Sequence, residues 1–134
     1  MRKLLAVLLV VGAAACSVDT PAGPLVGDIS GTYTLRSMNG SPLPFVFTSN
    51  DTTVSIDTDV LTVVATGDWS ETVGYRQTVG AADATNETLN LVGSWTRNGN
   101  QLNFRTPLGL LYVGTATETS LNLSDAGFNY VFTR

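Results

Sequence analysis

Histidine is absent from the 134 residues, and cysteine occurs once. Without an imidazole the chain lacks the usual general base, the commonest transition-metal ligand and the standard activator of a serine nucleophile. A lone thiol has no disulfide partner within the chain and does not make a zinc site of the usual kind. Basic residues are scarce as well. Of seven, Arg2 and Lys3 stand at the start, leaving five arginines against eleven acids beyond residue 16 and a formal charge of −6. A surface of that sign repels phosphate backbones, so no nucleic-acid partner is expected. Beyond residue 16 no stretch carries apolar residues at helical spacing over three turns.

The first sixteen residues have a different character. Arg2 and Lys3 precede an apolar run from Leu4 to Val11, and Gly12 to Ala15 supply the small residues that a signal peptidase needs. The run is too short to span a bilayer, which takes about 20 apolar residues, and Ser17, Asp19 and Thr20 follow at once. Cys16, directly after Ala13-Ala14-Ala15, resembles the lipobox of bacterial lipoproteins. That resemblance implies a lipidated thiol, a membrane contact through Cys16, and an extracytoplasmic place in the bacterial cell envelope, at the outer membrane or cell surface. The alternative is an ordinary secretory signal with a cysteine beside it. Residues 1–16 are therefore expected to be an export signal. Residues 17–29, with Pro21 and Pro24, are expected to form a flexible tether, and 30–134 a single folded domain.

The domain is rich in threonine, valine and aromatics, which fit a pleated sheet better than a helix. Asn39-Gly40 and Asn98-Gly99 are hairpin signals. The pattern predicts strands at Gly31–Met38, Pro42–Phe47, Thr52–Ile56, Val60–Ala65, Trp69–Val79, Leu89–Trp95, Leu102–Phe104, Leu110–Thr115, Leu121–Leu123 and Phe128–Phe132. Strands spaced about ten residues apart with short connections predict an all-β fold, an antiparallel up-and-down barrel of about 8–9 strands. Such a barrel puts the aromatics indoors, and eight strands leave an interior either filled by side chains or wide enough for one small ligand.

Gly31-Thr-Tyr33 opening the first strand, the meander after it and Arg134 closing the last resemble the lipocalin-like (calycin) barrels, including short lipid-anchored bacterial ones. The resemblance spans about residues 30–134. It implies that Tyr33 packs at the closed end of the barrel beneath Arg134, and that the interior holds a small molecule.

Chemistry-bearing residues are few. Glu71 falls on the apolar face of its strand, where a carboxylate needs either an open end or an arginine partner. It is the only candidate acid or base, so no enzyme activity, catalytic set or cofactor is expected. Asp57 and Asp59, read as sharing one strand face, could bind calcium together with Asp51, although a solvated turn is the commoner meaning of such a cluster, and no metal is expected. Two functions remain. The first is a lipid-anchored binding protein whose small apolar or amphipathic ligand sits between Trp69, Tyr75, Trp95, Phe104, Tyr112 and Tyr130. The second is a filled barrel that contacts an envelope protein through its outer face or its loop at 80–86.

Overall fold

The computed structural model describes residues 27–134; Cys16, the signal at 1–16 and most of the tether expected over 17–29 lie outside the described residues. Two-residue alternation carries nearly the whole of the described chain into ten strands, all paired antiparallel. These are β1 (Gly31–Met38), β2 (Ser41–Pro42), β3 (Phe45–Ser49), β4 (Thr52–Val63), β5 (Asp68–Val79), β6 (Thr85–Asn98), β7 (Gln101–Thr106), β8 (Gly109–Ala116), β9 (Ser120–Asp125) and β10 (Phe128–Thr133). Strands β4 to β10 pair in sequence order, and β1 joins β10 on one side and β4 on the other, closing a barrel of eight strands. The short β2 and β3 are additions, laid on β1 and β4 respectively.

Closure uses only part of β4. Gly31 to Thr34 of β1 pair with Val63 to Val60, whereas the other half of β4, Thr52 to Ile56, pairs with β3. Between these two contacts the chain leaves the wall through the β1–β2 hairpin, turned by Asn39 (φ 49°) and Gly40 (φ 79°), both in the left-handed region such a turn requires. The single return strand expected over Pro42–Phe47 is thus two strands. Pro42 and Pro44 have no N–H to donate to a ladder, and pairing lapses between them.

The other departure lies in β4, where two strands separated by a turn at Asp57–Asp59 were expected. One continuous strand runs through, with a bulge at Asp57: Ile56 faces Tyr75 and Thr58 faces Gly74, so Asp57 has no opposite number. The extra residue changes which positions point inward, from Ile56 before it to Asp59, Leu61 and Val63 after it.

The two ends of the barrel differ. At the end holding the β4–β5 turn, the interior is solid, filled by side chains such as Tyr33, Leu61, Trp69, Phe104, Leu121 and Phe132. The Arg134 guanidinium lies over the Tyr33 ring, 5.4 Å from its centroid, and donates to the carbonyls of Ser30 and Glu118 at 2.7 Å each. The Tyr33 hydroxyl donates to the carbonyl of Ile29 at 2.8 Å. Ile29 is buried in the core, so the folded body takes in a residue of the expected tether. At the other end the walls are unequal. β4 to β6 run twelve to fourteen residues against six to eight for β7 to β10. At about 3.3 Å per residue, that is roughly 40 Å of wall facing roughly 20 Å. β6 pairs with β7 only over Ser94–Asn98, and its first half stands beyond that contact beside β5 alone.

Packing at the solid end tolerates no added volume at Gly93. A Cβ there would collide with the Arg105 carbonyl and press on the Trp69 indole, whose N–H donates to the carbonyls of Ser94 (3.0 Å) and Arg105 (3.2 Å). Gly93→Ala is expected to lower stability by about 3 kcal/mol, read from urea unfolding, because the Arg105 backbone and the buried Trp69 indole must both give way. A loss below about 0.5 kcal/mol would show that β6 and β7 are not this close.

Candidate functional site

The open half of the barrel encloses a cavity of about 230 Å³. Its walls are mostly apolar, with Ile56 from β4, Val73 from β5, Leu91 from β6, Leu111 from β8 and Phe128 from β10. The period-two alternation of each strand delivers these side chains inward, and the bulge at Asp57 delivers an acid among them. Asp59, Tyr112, Asp125 and Tyr130 are the polar members of the lining. A more open depression beside it, between Leu110 and the β9–β10 turn, shares Leu111 and Asp125 with the cavity.

Of the six aromatic residues expected to hold a ligand, Tyr112 and Tyr130 border the cavity, their rings 5.3 Å apart and edge to face. Trp69 and Phe104 lie outside the lining, buried in the solid half and in edge contact at 5.8 Å. Trp95 serves the closed end, where its indole N–H donates to the carbonyl of Val64 at 2.9 Å. Tyr75, opposite Ile56, is half-buried and is not among the lining residues.

Next to the cavity is a pair of buried acids. Asp59 is 3 % exposed and Glu71 1 %. They sit on neighbouring strands, on one face and offset diagonally, since Asp59 pairs with Val73 and Leu61 with Glu71. Glu71 therefore has neither the open end nor the arginine expected for it. It accepts from the Tyr112 hydroxyl, at 2.9 Å to Oε1 and 3.1 Å to Oε2. Asp59 Oδ1 is buried and receives no N–H or neutral O–H from the described residues; the one hydrogen open to the Asp59 carboxyl is a proton shared with Glu71. Arg76, the charged neighbour on β5, points outward and holds Asp57 at 2.8 Å.

Burial raises the pKa of both carboxyls. For Asp59, pushed up to about 9, the adjacent Glu71 adds to the effect. Two adjacent carboxylates this deeply buried do not both ionise readily, so the pair keeps a proton at neutral pH. The Tyr112 hydroxyl is raised by burial and then by Glu71, and Tyr130 is pushed up to about 12 by burial and then by Asp125. Both phenols stay protonated, and Tyr112 remains a donor. The site can accept hydrogen bonds from a ligand and can exchange a proton with it.

The bulge also separates the three acids weighed above as a calcium alternative: Asp57 faces solvent against Arg76, Asp59 faces the interior, and Asp51 is exposed. Among the described residues no three acidic, cysteine or histidine side chains are placed to hold a metal ion. Asp59 was thus missed as a cavity residue. The sequence carries little signal for it: apolar residues of β4 fall on even positions (Val54, Ile56) before Asp57, but on both even and odd ones (Val60, Leu61, Val63) after Asp59. No protein-family model, curated protein or solved structure matches the chain.

The paired acids set an unusual dependence of stability on pH. Their folded pKa values lie above the unfolded ones, so the folded protein binds more protons than the unfolded chain. The resulting stability is fully present below the unfolded value near 4 and is lost as pH rises towards about 9. Urea unfolding should show stability falling between about pH 5 and pH 8.5, by up to about 1.4 kcal/mol per pH unit for each extra proton held. Asp59→Asn should flatten that slope. A flat or rising profile in the unsubstituted protein would mean that the pair is ionised.

Proposed function

We propose that the protein is a lipid-anchored, extracytoplasmic binding protein whose barrel holds one small apolar or amphipathic molecule. The observation that carries this reading is the 230 Å³ cavity with apolar walls, set above a solid half that gives it a floor. Ligand sites are typically concave, largely apolar and furnished with a few convergent polar groups, here Asp59, Tyr112 and Tyr130. The lipocalin-like resemblance of Gly31-Thr-Tyr33 and Arg134 supports the same reading, as does the stacking of Arg134 on Tyr33 at the closed end. The envelope location rests on the sequence of residues 1–16 and on Cys16.

Volume limits the ligand. A 150 Å³ cavity accepts benzene, so by proportion this one has room for roughly nine non-hydrogen atoms. Whole phospholipids and long fatty acids do not fit inside. A second reading, a protein-interaction module, is favoured by exposed apolar side chains beside the mouth: Leu108 at the β7–β8 turn is fully exposed, and Val92 and Leu110 are at least half exposed. On that reading the cavity is incidental.

The two readings separate in a calorimetric titration with straight-chain alcohols. Binding should tighten by about 0.8 kcal/mol, close to fourfold, for each methylene from n-butanol upward, and level off near n-octanol when the cavity is full. Leu91→Trp should abolish it by filling the space. The absence of saturable binding for every alcohol would leave the interaction module. For the anchor, Cys16→Ser should move the protein from the membrane fraction to the soluble fraction on cell fractionation; unchanged membrane association would remove the lipoprotein assignment.

A further inference from the structure

We propose that the cavity selects an amphipathic cation, a small organic amine whose ammonium group sits against the Asp59 carboxyl, with Glu71 behind it, and whose hydrocarbon part fills the apolar walls. This rests on the reading of the cavity as a ligand site and adds the chemical class of the ligand.

The first support is the unpartnered acceptor. Asp59 is almost fully buried, it borders the cavity, and its Oδ1 finds no donor among the described residues. A buried carboxyl whose one close polar neighbour is a second acid, with no N–H or neutral O–H donated to it, is costly and uncommon in folded proteins, and a ligand donor at that spot relieves the cost.

The second support is the sign of everything around it. β4 contributes Asp59, β5 Glu71, β8 Tyr112, β9 Asp125 and β10 Tyr130, while β1, β3 and β6 offer only apolar side chains such as Met38, Phe47 and Leu91. Among the described residues no arginine borders the cavity: Arg76 is held by Asp57, Arg97 donates to the carbonyls of Gly27 and Gly99, and Arg134 caps the closed end. An anion would meet two acids and no positive charge. A neutral alcohol has one proton to donate, where an ammonium has three and a charge that opposes those of the acids. The edge-to-face Tyr112 and Tyr130 rings add faces that attract a cation.

The third support is the character of the walls. Calcium takes six to eight oxygen ligands and magnesium six, and this cavity offers a few carboxyl and phenol oxygens among hydrocarbon side chains. Hydrocarbon on the ligand is what those side chains can cover. Proton balance then follows from the raised pKa values of the pair. Below them, an incoming ammonium displaces the proton that the carboxyls share, and that proton leaves to solvent, so amine affinity rises with pH while alcohol affinity does not.

The test compares n-octylamine, n-octanol and octanoate, similar in size and different in head group, by calorimetry on the full chain. At pH 7.5 the amine should bind at least about tenfold tighter than the alcohol, and octanoate weakest. The amine-to-alcohol ratio should increase from pH 6 to pH 8.5. Asp59→Asn should bring the two ligands within about twofold of each other, and Asp83→Asn, in the exposed loop between β5 and β6, should leave the ratio as it was. Circular dichroism establishes that each variant is folded. Asp59→Ser gives the same reading of the ratio if Asp59→Asn does not fold. Equal or tighter binding of n-octanol, or an amine preference that survives Asp59→Asn, would overturn the amine assignment while the cavity reading stands. No binding of any of the three would overturn both.

Discussion

Four residue pairs close this barrel, Gly31 to Thr34 of β1 against Val63 to Val60 of β4. Without them the ten strands would form an open sheet with two edges. With them, the walls converge on the end where Arg134, Tyr33 and Ile29 meet, and the core there packs solid. Because β1 engages only half of β4, the remaining half is left to β3, and the opposite end does not draw together in the same way. Solid and hollow halves thus follow from one partial pairing. The distribution of aromatic side chains agrees with it: Tyr33, Trp69, Phe104 and Phe132 are buried in the solid part, and Tyr112 and Tyr130 stand at the boundary.

The boundary is also where the fold accepts its largest electrostatic penalty. Two carboxyls are buried in a domain that places no arginine beside them, though Arg76 is available on the same strand. Desolvation dominates both, and Glu71 accepts from the Tyr112 hydroxyl while sharing a proton with Asp59. Burying such groups without a counter-charge works against stability, and polar groups retained in that position commonly serve something other than the fold. The outer pair, Arg76 with Asp57, shows the contrast: it is water-exposed, with Asp57 held below and Arg76 above their ordinary pKa values mainly by the hydrogen bond between them.

Strand content and barrel closure were legible in the sequence because they rest on local rules. Alternation of apolar and polar residues marks strands, Asn39-Gly40 and Asn98-Gly99 mark hairpins, and short connections force neighbours to pair. Glu71 stood out as an acid on an apolar face. Its partner did not, since Asp59 reads as part of a polar turn until the bulge at Asp57 is seen, and a bulge is a single unpaired residue with weak composition cues. The lining aromatics were hard to choose because inward direction fixes a side chain's face of the sheet, not its height in the barrel. Trp69, Phe104 and Tyr112 face the same interior, yet only Tyr112 reaches the hollow end. Height depends on the stagger of each strand, which the residue pattern does not record.

The unequal walls have a consequence for exchange. Strands β4 to β6 stand well above β7 to β10, so the cavity is shielded on one flank and low on the other. On the proposed binding reading, a guest would cross the low flank without any ladder hydrogen bond breaking, and its exchange would be set by its own rehydration and not by breathing of the protein.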